Sequence, residues 1–171
     1  MQYYLQKVQE VCDNLQVLST LGTRDCFMVD SQSKELVKKE QKIFHTMVAR
    51  FLYLSKRARP EILAVVGFLC TRVKRPTLKD RKKLETLLGY LKGAMERIMV
   101  IKLKSMFKPV GYVDASFAAH PNGRSHSGVI MQVAGASVFF GSRKQKRVRK
   151  SPTEAELAAS SDNLGFMELF G

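Results

Sequence analysis

The chain has 171 residues, of which 45% are hydrophobic, so it is long and apolar enough to build a core, and disorder throughout is excluded. Its 29 Lys and Arg residues outnumber 15 Asp and Glu residues, and the resulting formal net charge of +14 favours a polyanionic partner, most often nucleic acid. Three widely spaced cysteines without a CxxC motif argue against a disulfide framework or a zinc ribbon and predict a reducing compartment.

Membrane insertion and secretion are not predicted. The first ten residues, MQYYLQKVQE, lack the apolar region of a signal peptide. The longest strongly apolar run, 62–70, is too short to span a bilayer. We therefore expect a cytoplasmic or nuclear protein with no membrane partner.

Helical spacing of apolar residues dominates the N-terminal half. It predicts helices over 2–18, 34–57 and 60–73 and a further helix from Thr77 to Gly93, with a loop over 19–33. Pro60 breaks the second helix and suits the first turn of the third. Thr77 is the predicted N-cap of the last one.

The apolar period changes after residue 94. Runs rich in Val, Ile and Phe predict strands over 97–103, 109–115, 127–133 and 136–141, and the alternation over 144–149 suggests one more. Ser151-Pro152-Thr153-Glu154 then has the pattern of a capped helix start. The predicted fold is therefore α+β, with a helical half followed by a meander and a helix, and the boundary lies within 94–108.

Two carboxylates flank a basic arm in the C-terminal half. Asp114 lies where an apolar strand ends, and Glu156 lies in the first turns of the last helix. Carboxylates that converge from separate elements are what magnesium-dependent phosphodiester cleavage needs. In the alternative interpretation, Glu154 and Glu156 only favour the helix N-terminus electrostatically.

Several segments, in the right order, resemble the Pol polyprotein of copia-type LTR retrotransposons. FHTMVARFLYLSKRARPEILAVVGFL and LGYLKGAMERIMVIK are similar to family segments with Tyr-Leu, Arg-Pro-acid-Ile and Tyr-Leu-Lys-Gly. VDAS resembles the first catalytic strand, GRSHSG the Arg-Ser-Thr-Ser-Gly turn, GSRKQ the Ser-Lys-Lys-Gln arm, and SPTEAEL the Ser-Thr-Glu-Ala-Glu helix start. The resemblance implies that 1–33 is the end of the palm or a linker, 34–94 a helical thumb or connection, and 95–171 a truncated RNase H-like domain with a partial mixed sheet.

The resemblance further implies that Asp114 and Glu156 are catalytic, metal-binding carboxylates of a two-metal site that cleaves RNA in an RNA–DNA hybrid. The family's other aspartates are expected beyond Gly171, so Mg²⁺ binding by this chain is expected to be weak or absent. The chain alone is expected to be inactive as a nuclease and as a polymerase. Departures from the family are Ser116-Phe117 after the first carboxylate and Phe139-Phe140 in place of a Trp.

Clustered basic residues are the predicted nucleic-acid contacts, because such clusters neutralise phosphates. The candidates are Arg72, Lys74, Arg75, Arg124, Ser125, Arg143, Lys144, Lys146, Arg147, Arg149 and Lys150. A solvated helix face is the alternative for 72–83. His120 and His126 are expected to be exposed turn histidines that could assist proton transfer.

Three functions remain open at this point. The first is a fragment of a retrotransposon reverse transcriptase/RNase H that binds RNA–DNA hybrid, with an incomplete nuclease half-site and the rest of the Pol polyprotein as partner. The second is a non-enzymatic nucleic-acid-binding module derived from a retroelement. The third is a basic protein-interaction scaffold whose helices over 34–94 bind a protein partner.

Overall fold

The computed structural model describes residues 15–21, 27–97, 99–103 and 108–168. The chain divides into two compact units, Met1–Ile98 and Met99–Gly171. Helices dominate the first, and a three-stranded antiparallel sheet with a helix makes up the second, so the predicted α+β class is confirmed.

Among the described residues, the first unit contains α1 (Lys38–Arg57), α2 (Leu63–Arg72), which follows a 3-10 helix over Pro60–Ile62, and α3 (Leu78–Gly93). Each turns an apolar face inward, because side chains three and four residues apart share one face of a helix. The largest fully buried side chains are Phe51, Ile62, Leu69, Leu87 and Leu91. One hydrophobic core therefore joins all three helices.

The first long helix begins four residues later than predicted, at Lys38. The backbone just before it is already engaged: Leu36 donates its N–H to Pro76 O (2.9 Å), and Leu78 donates to Lys34 O (2.9 Å). These bonds form a short antiparallel bridge that cannot coexist with helical bonds over the same residues. Tertiary pairing thus overrides the helical pattern.

The helix predicted over 2–18 lies mostly outside the described residues, and 15–18 are not helical. Here the chain packs its backbone directly on α3. Leu18 donates its N–H to Gly89 O at 3.1 Å. A Cβ on Gly89 would lie 2.5 Å from Gln16 O, and one on Gly93 would lie 2.6 Å from Leu18 O. Two glycines one turn apart therefore permit this close approach.

The second unit contains β1 (Pro109–Ser116), β2 (Arg124–Val133), β3 (Ala136–Val148) and α4 (Pro152–Glu168). The strand order is β1-β2-β3, and both pairings are antiparallel. A two-residue hairpin turn joins β2 and β3 at Ala134-Gly135, where both residues have positive φ (51° and 79°), as a type I′ turn requires. α4 packs on β1 and β2, with Ala155 and Ala159 fully buried.

Two strand predictions were wrong. Residues 97 and 99–103 form no strand, and position 98 lies outside the described residues. The segments 136–141 and 144–149 are not separate strands, because β3 runs continuously for 13 residues. Its pairing with β2 is regular from Phe139 to Lys144, so the strand continues across the interval between the two predicted segments.

The predicted N-cap at Thr77 is confirmed. Its Oγ1 accepts the Asp80 N–H, and the Asp80 carboxylate accepts the Thr77 N–H at 2.9 Å, which completes a capping box. Both residues are buried, and Asp80 also forms an ion pair with Arg72 at 3.2 Å. Because these groups are buried, water competes little with the hydrogen bonds that fix the start of α3.

We expect Thr77→Ala to lower the free energy of unfolding by about 1 kcal/mol, because it leaves a helix N–H without its acceptor. Urea unfolding followed by circular dichroism at 222 nm measures this. Thr86→Ala is the matched control within α3, since its Oγ1 only back-bonds to Lys82 O; we expect it to change stability by less than about 0.5 kcal/mol. Equal losses in the two variants would contradict the capping role.

Candidate nucleic-acid interface

Asp114 lies in β1, and Glu156 of α4 contacts the backbone of the same strand. Asp114 is exposed near the end of the strand, opposite Gly128 of β2. Glu156 reaches the next residue, because its Oε1 accepts the backbone N–H of Ala115 at 3.2 Å. Glu156 therefore reaches β1 at the residue after Asp114, whereas alternation along the strand places the Asp114 side chain on the sheet face away from α4.

Glu154, the other glutamate of this helix start, has a structural task. Ser151 Oγ accepts the Glu154 N–H (3.1 Å), and Glu154 Oε2 accepts the Lys150 N–H (2.8 Å). That backbone hydrogen bond, with the neighbouring Arg149, lowers the pKa of the Glu154 carboxyl. Glu154 therefore caps α4, which leaves Glu156 as the glutamate that reaches β1.

The carboxylates suit magnesium only in part. Mg²⁺ takes one or two carboxylates and keeps several waters, whereas a two-metal centre needs more. Within the described ranges, no group of three His, Cys, Asp or Glu side chains could hold a metal ion. Asp162 is exposed on α4 and does not join the pair in such a group. Asp114 and Glu156 are therefore fewer carboxylates than a two-metal centre needs.

The face of the sheet that packs on α4 is held by polar side chains. Gln145 Nε2 donates to Ser127 Oγ and to Ala155 O, both at 2.9 Å. Arg143 donates to Asn163, a fully buried residue of α4. Arg143 was predicted to bind nucleic acid, but the structure engages its guanidinium in the contact between sheet and helix.

The basic arm over 143–150 is divided between paired and exposed side chains. Arg149 forms an ion pair with Glu154 (3.5 Å) and donates to Gln145 Oε1 (3.2 Å). Lys146, Arg147 and Lys150 are exposed, and none forms an ion pair within the described residues. These three are the members of the arm that can reach a phosphate without first breaking a contact.

Ser125 cannot make the nucleic-acid contact predicted for it. Its side chain is fully buried, and its Oγ accepts the Ala118 N–H at 3.2 Å. The hydroxyl instead shapes the turn between β1 and β2. Neighbouring Arg124 remains partly exposed.

The basic cluster over 72–83 is largely paired with acidic residues of its own unit. The ion pairs are Arg72–Asp80 (3.2 Å), Arg75–Glu35 (2.5 Å), Lys79–Asp30 (2.7 Å) and Arg81–Glu40 (2.7 Å). Lys74 is exposed. Arg59, outside this cluster, is buried and bonded to Glu61 and Ala94 O. This geometry favours the alternative interpretation, a charged helical surface.

His120 and His126 were expected to be exposed, and this was wrong: only 5% and 9% of their surfaces are exposed. His120 Nε2 lies 3.0 Å from His126 Nδ1, and His126 Nε2 lies 2.6 Å from Ser142 Oγ. This array was missed because its members are distant in sequence. The sequence feature that could have pointed to this array is that His126 replaces the Thr of the copia-type turn.

Burial sets the protonation state of this array. It lowers the pKa of His126 to about 4, with a smaller contribution from the charge of His120. Burial and the charge of Lys144 likewise lower the pKa of His120. Both imidazoles are therefore neutral near pH 7, and their hydrogen bonds join β2, β3 and the turn before β2.

Two relatives place the chain among known proteins. An uncharacterized mitochondrial protein of Arabidopsis thaliana is 25% identical over 153 residues, which are 84% of this chain and 63% of that protein. The chain thus spans less than two thirds of that relative's length. Secreted RxLR effector protein 161 of Plasmopara viticola is 32% identical over 116 residues, which are 67% of this chain and 82% of that protein. No family model and no solved structure matches the chain.

The fold and the Arabidopsis similarity support an α+β protein of retroelement-derived sequence. With 32% identity over four fifths of the Plasmopara protein, the chain belongs to the same family as secreted RxLR effector protein 161. No helix in the described part of the chain is long and apolar enough to cross a bilayer.

We expect the second unit to lose stability in mild acid. The pKa of His126 lies below its ordinary value of 6.5 in the folded protein, so the unfolded chain binds more protons between about pH 6.5 and 4. The stabilisation is complete above pH 6.5 and is lost as the pH falls to about 4. Allowing for solvent screening, the loss is on the order of 1–2 kcal/mol.

Urea unfolding at a series of pH values between 4 and 7 measures this loss. His126→Thr, which introduces the residue of the copia-type turn, should flatten the pH dependence. His45→Gln, at an exposed position of α1, is the control and should leave it unchanged. A slope that His126→Thr does not alter would refute the assignment.

Proposed function

We propose that the chain is a segment of a copia-type Pol polyprotein, covering thumb or connection helices and the first part of an RNase H domain, and that it binds RNA–DNA hybrid without cleaving it. The observation that supports this proposal is the hydrogen bond that Glu156 accepts from the backbone N–H of Ala115 at 3.2 Å, which brings Glu156 to the strand residue that follows Asp114. The family motifs around both residues support the same reading.

Binding is assigned to the exposed part of the basic arm. Lys146, Arg147 and Lys150 extend from the end of β3 into the start of the helix that carries Glu156. A hybrid is recognised mainly through its backbone and 2′-hydroxyl groups, so flexible cations that contact phosphates are sufficient for affinity. The paired Arg143 and Arg149 hold the arm in place.

Catalysis is not assigned to the chain as it stands. Two-metal hydrolysis places two ions about 3.5–4 Å apart between several carboxylates. Asp114 and Glu156 supply part of that ligand set, and Glu156 already accepts a backbone N–H. The rest of the ligand set would have to come from the remainder of the Pol polyprotein, which is the proposed partner.

One prediction of the proposed function concerns the affinity for RNA–DNA hybrid. We expect the chain to bind a labelled RNA–DNA hybrid at low salt, with log Kd rising linearly with log salt concentration. The double variant Lys146→Gln/Arg147→Gln should lower that slope by about 1.5–2, because two phosphate contacts are lost. Fluorescence anisotropy over a salt series gives the slopes.

Arg75→Gln is the matched control, since Arg75 is exposed but paired with Glu35 in the first unit. It should leave the slope within about 0.5 of the wild-type value, which is less than one phosphate contact. An equal effect of both changes would show that net charge alone drives binding. No affinity for hybrid even at low salt would remove the nucleic-acid proposals and favour the protein-interaction scaffold.

Another prediction of the proposed function concerns cleavage of the RNA strand. Incubation of the purified chain with labelled hybrid and Mg²⁺ should leave the RNA strand intact on a denaturing gel, because the carboxylate set is incomplete. Asp114→Asn should bind hybrid at least as tightly as the wild type, since it removes a negative charge near the phosphates. Cleavage by the wild type that Asp114→Asn abolishes would disprove the incomplete site.

A further inference from the structure

The sheet face opposite α4 carries an exposed row of rings and aliphatic carbon. Tyr112 lies opposite Ile130, which lies opposite Phe140, and directly opposed residues of neighbouring strands share one face. Tyr112 is 55% exposed and Ile130 is 40% exposed. Their alternation with Met131 and Val129, which are buried, places them on the face away from α4.

A cationic row lies at the other end of the same face. Lys144 lies opposite His126, and Arg124 stands two residues before His126 on β2, across an irregularity in the pairing with β3. Burial, and then the nearby charge of Arg124, lower the pKa of Lys144, so two cations are held close together. Neither side chain forms an ion pair within the described ranges, so a polyanion would relieve their repulsion.

An open row separates the rings from the cations. Asp114, Gly128 and Ser142 are directly opposed across the three strands. A Cβ built on Gly128 would meet nothing within 4 Å, so the space above the centre of this row is open. The carboxylate of Asp114 repels a phosphate here, which confines a nucleic-acid backbone to the end with Arg124 and Lys144.

We propose that this face binds single-stranded nucleic acid, with a base stacked on the row of Tyr112 and Phe140 and a neighbouring phosphate held by Arg124 and Lys144. The proposal rests on the proposed nucleic-acid binding and assigns a second, unpaired segment of nucleic acid to a different surface. Lys144 is the fourth residue after Phe140 along β3, so the two lie about 14 Å apart along the strand. A strand of a few nucleotides covers that span.

Single strands are favoured over a duplex for a steric reason. Bases in a hybrid duplex are already stacked on one another, and side chains on a flat sheet cannot reach their faces. Unpaired bases are free to stack on aromatic rings, whatever their identity, while cations follow the backbone. The open face therefore differs from the basic arm, which needs only phosphates.

The test compares two nucleic acids on the full chain. Fluorescence anisotropy with a labelled 15-nucleotide single-stranded RNA and with an RNA–DNA hybrid of the same length measures both affinities. Tyr112→Ala should weaken binding of the single strand about 5- to 100-fold, as loss of one stacked base predicts. Binding of the hybrid should change less than twofold.

Tyr53→Ala is the matched control, because Tyr53 is equally exposed (55%) but lies on α1 of the first unit. It should leave single-strand binding unchanged. Tyr112→Phe should retain affinity, because the ring alone carries the stacking. Lys144→Gln should weaken single-strand binding and lower its salt slope by about 0.7.

Four outcomes would overturn the proposal. Unchanged single-strand affinity in Tyr112→Ala excludes stacking on this face. Tight hybrid binding without single-strand binding by the wild type excludes the inference and leaves the proposed function intact, whereas binding of neither removes both. A wild-type dimer in sedimentation that Tyr112→Ala dissociates would identify a second copy of the chain as the occupant.

Discussion

A buried amide holds the second unit together at the place where its candidate site forms. Gln145 donates from one nitrogen to Ser127 of β2 and to Ala155 of α4, and only 2% of its surface is exposed. A buried polar group left without partners would cost roughly 1–3 kcal/mol, so the three elements are fixed relative to one another. The position of Glu156 against Ala115, one residue beyond Ala155, follows from that constraint.

Some cationic side chains of this protein are engaged in ion pairs or hydrogen bonds within the fold, whereas others are exposed. In the helical unit, acidic partners occupy Arg72, Arg75, Lys79 and Arg81, and the buried Arg59 bonds within the core. Around the sheet, Arg143 and Arg149 brace α4, while Lys146, Arg147 and Lys150 stay exposed. The formal charge of +14 therefore overstates the surface offered to a polyanion, because several of these cations are already engaged within the fold.

The two faces of the sheet carry different chemistry. One is covered by α4 and is filled by Val129, Met131 and hydrogen-bonded polar side chains. The other combines exposed Tyr112 and Ile130 with the buried pair His120 and His126, whose pKa values are both lowered by burial, next to Lys144. Alternation along each strand separates these sets, so one small sheet can pack on a helix and still present a mixed aromatic and cationic surface.

Local sequence determined the α+β class, the order of most elements, the cap at Thr77, the turn at Ala134-Gly135 and the helix start at Ser151, because each depends on residues within one or two turns of chain. The positions of Asp114 and Glu156 on a strand and a helix followed from the same patterns. Only the tertiary structure decided the contact of Glu156 with the residue after Asp114 and the burial of Ser125, His120 and His126. It also decided the absence of a strand over 99–103 and the pairing of 34–36 with 76–78. Each depends on contacts between residues far apart in the chain, where burial and competition for backbone hydrogen bonds outweigh local preference.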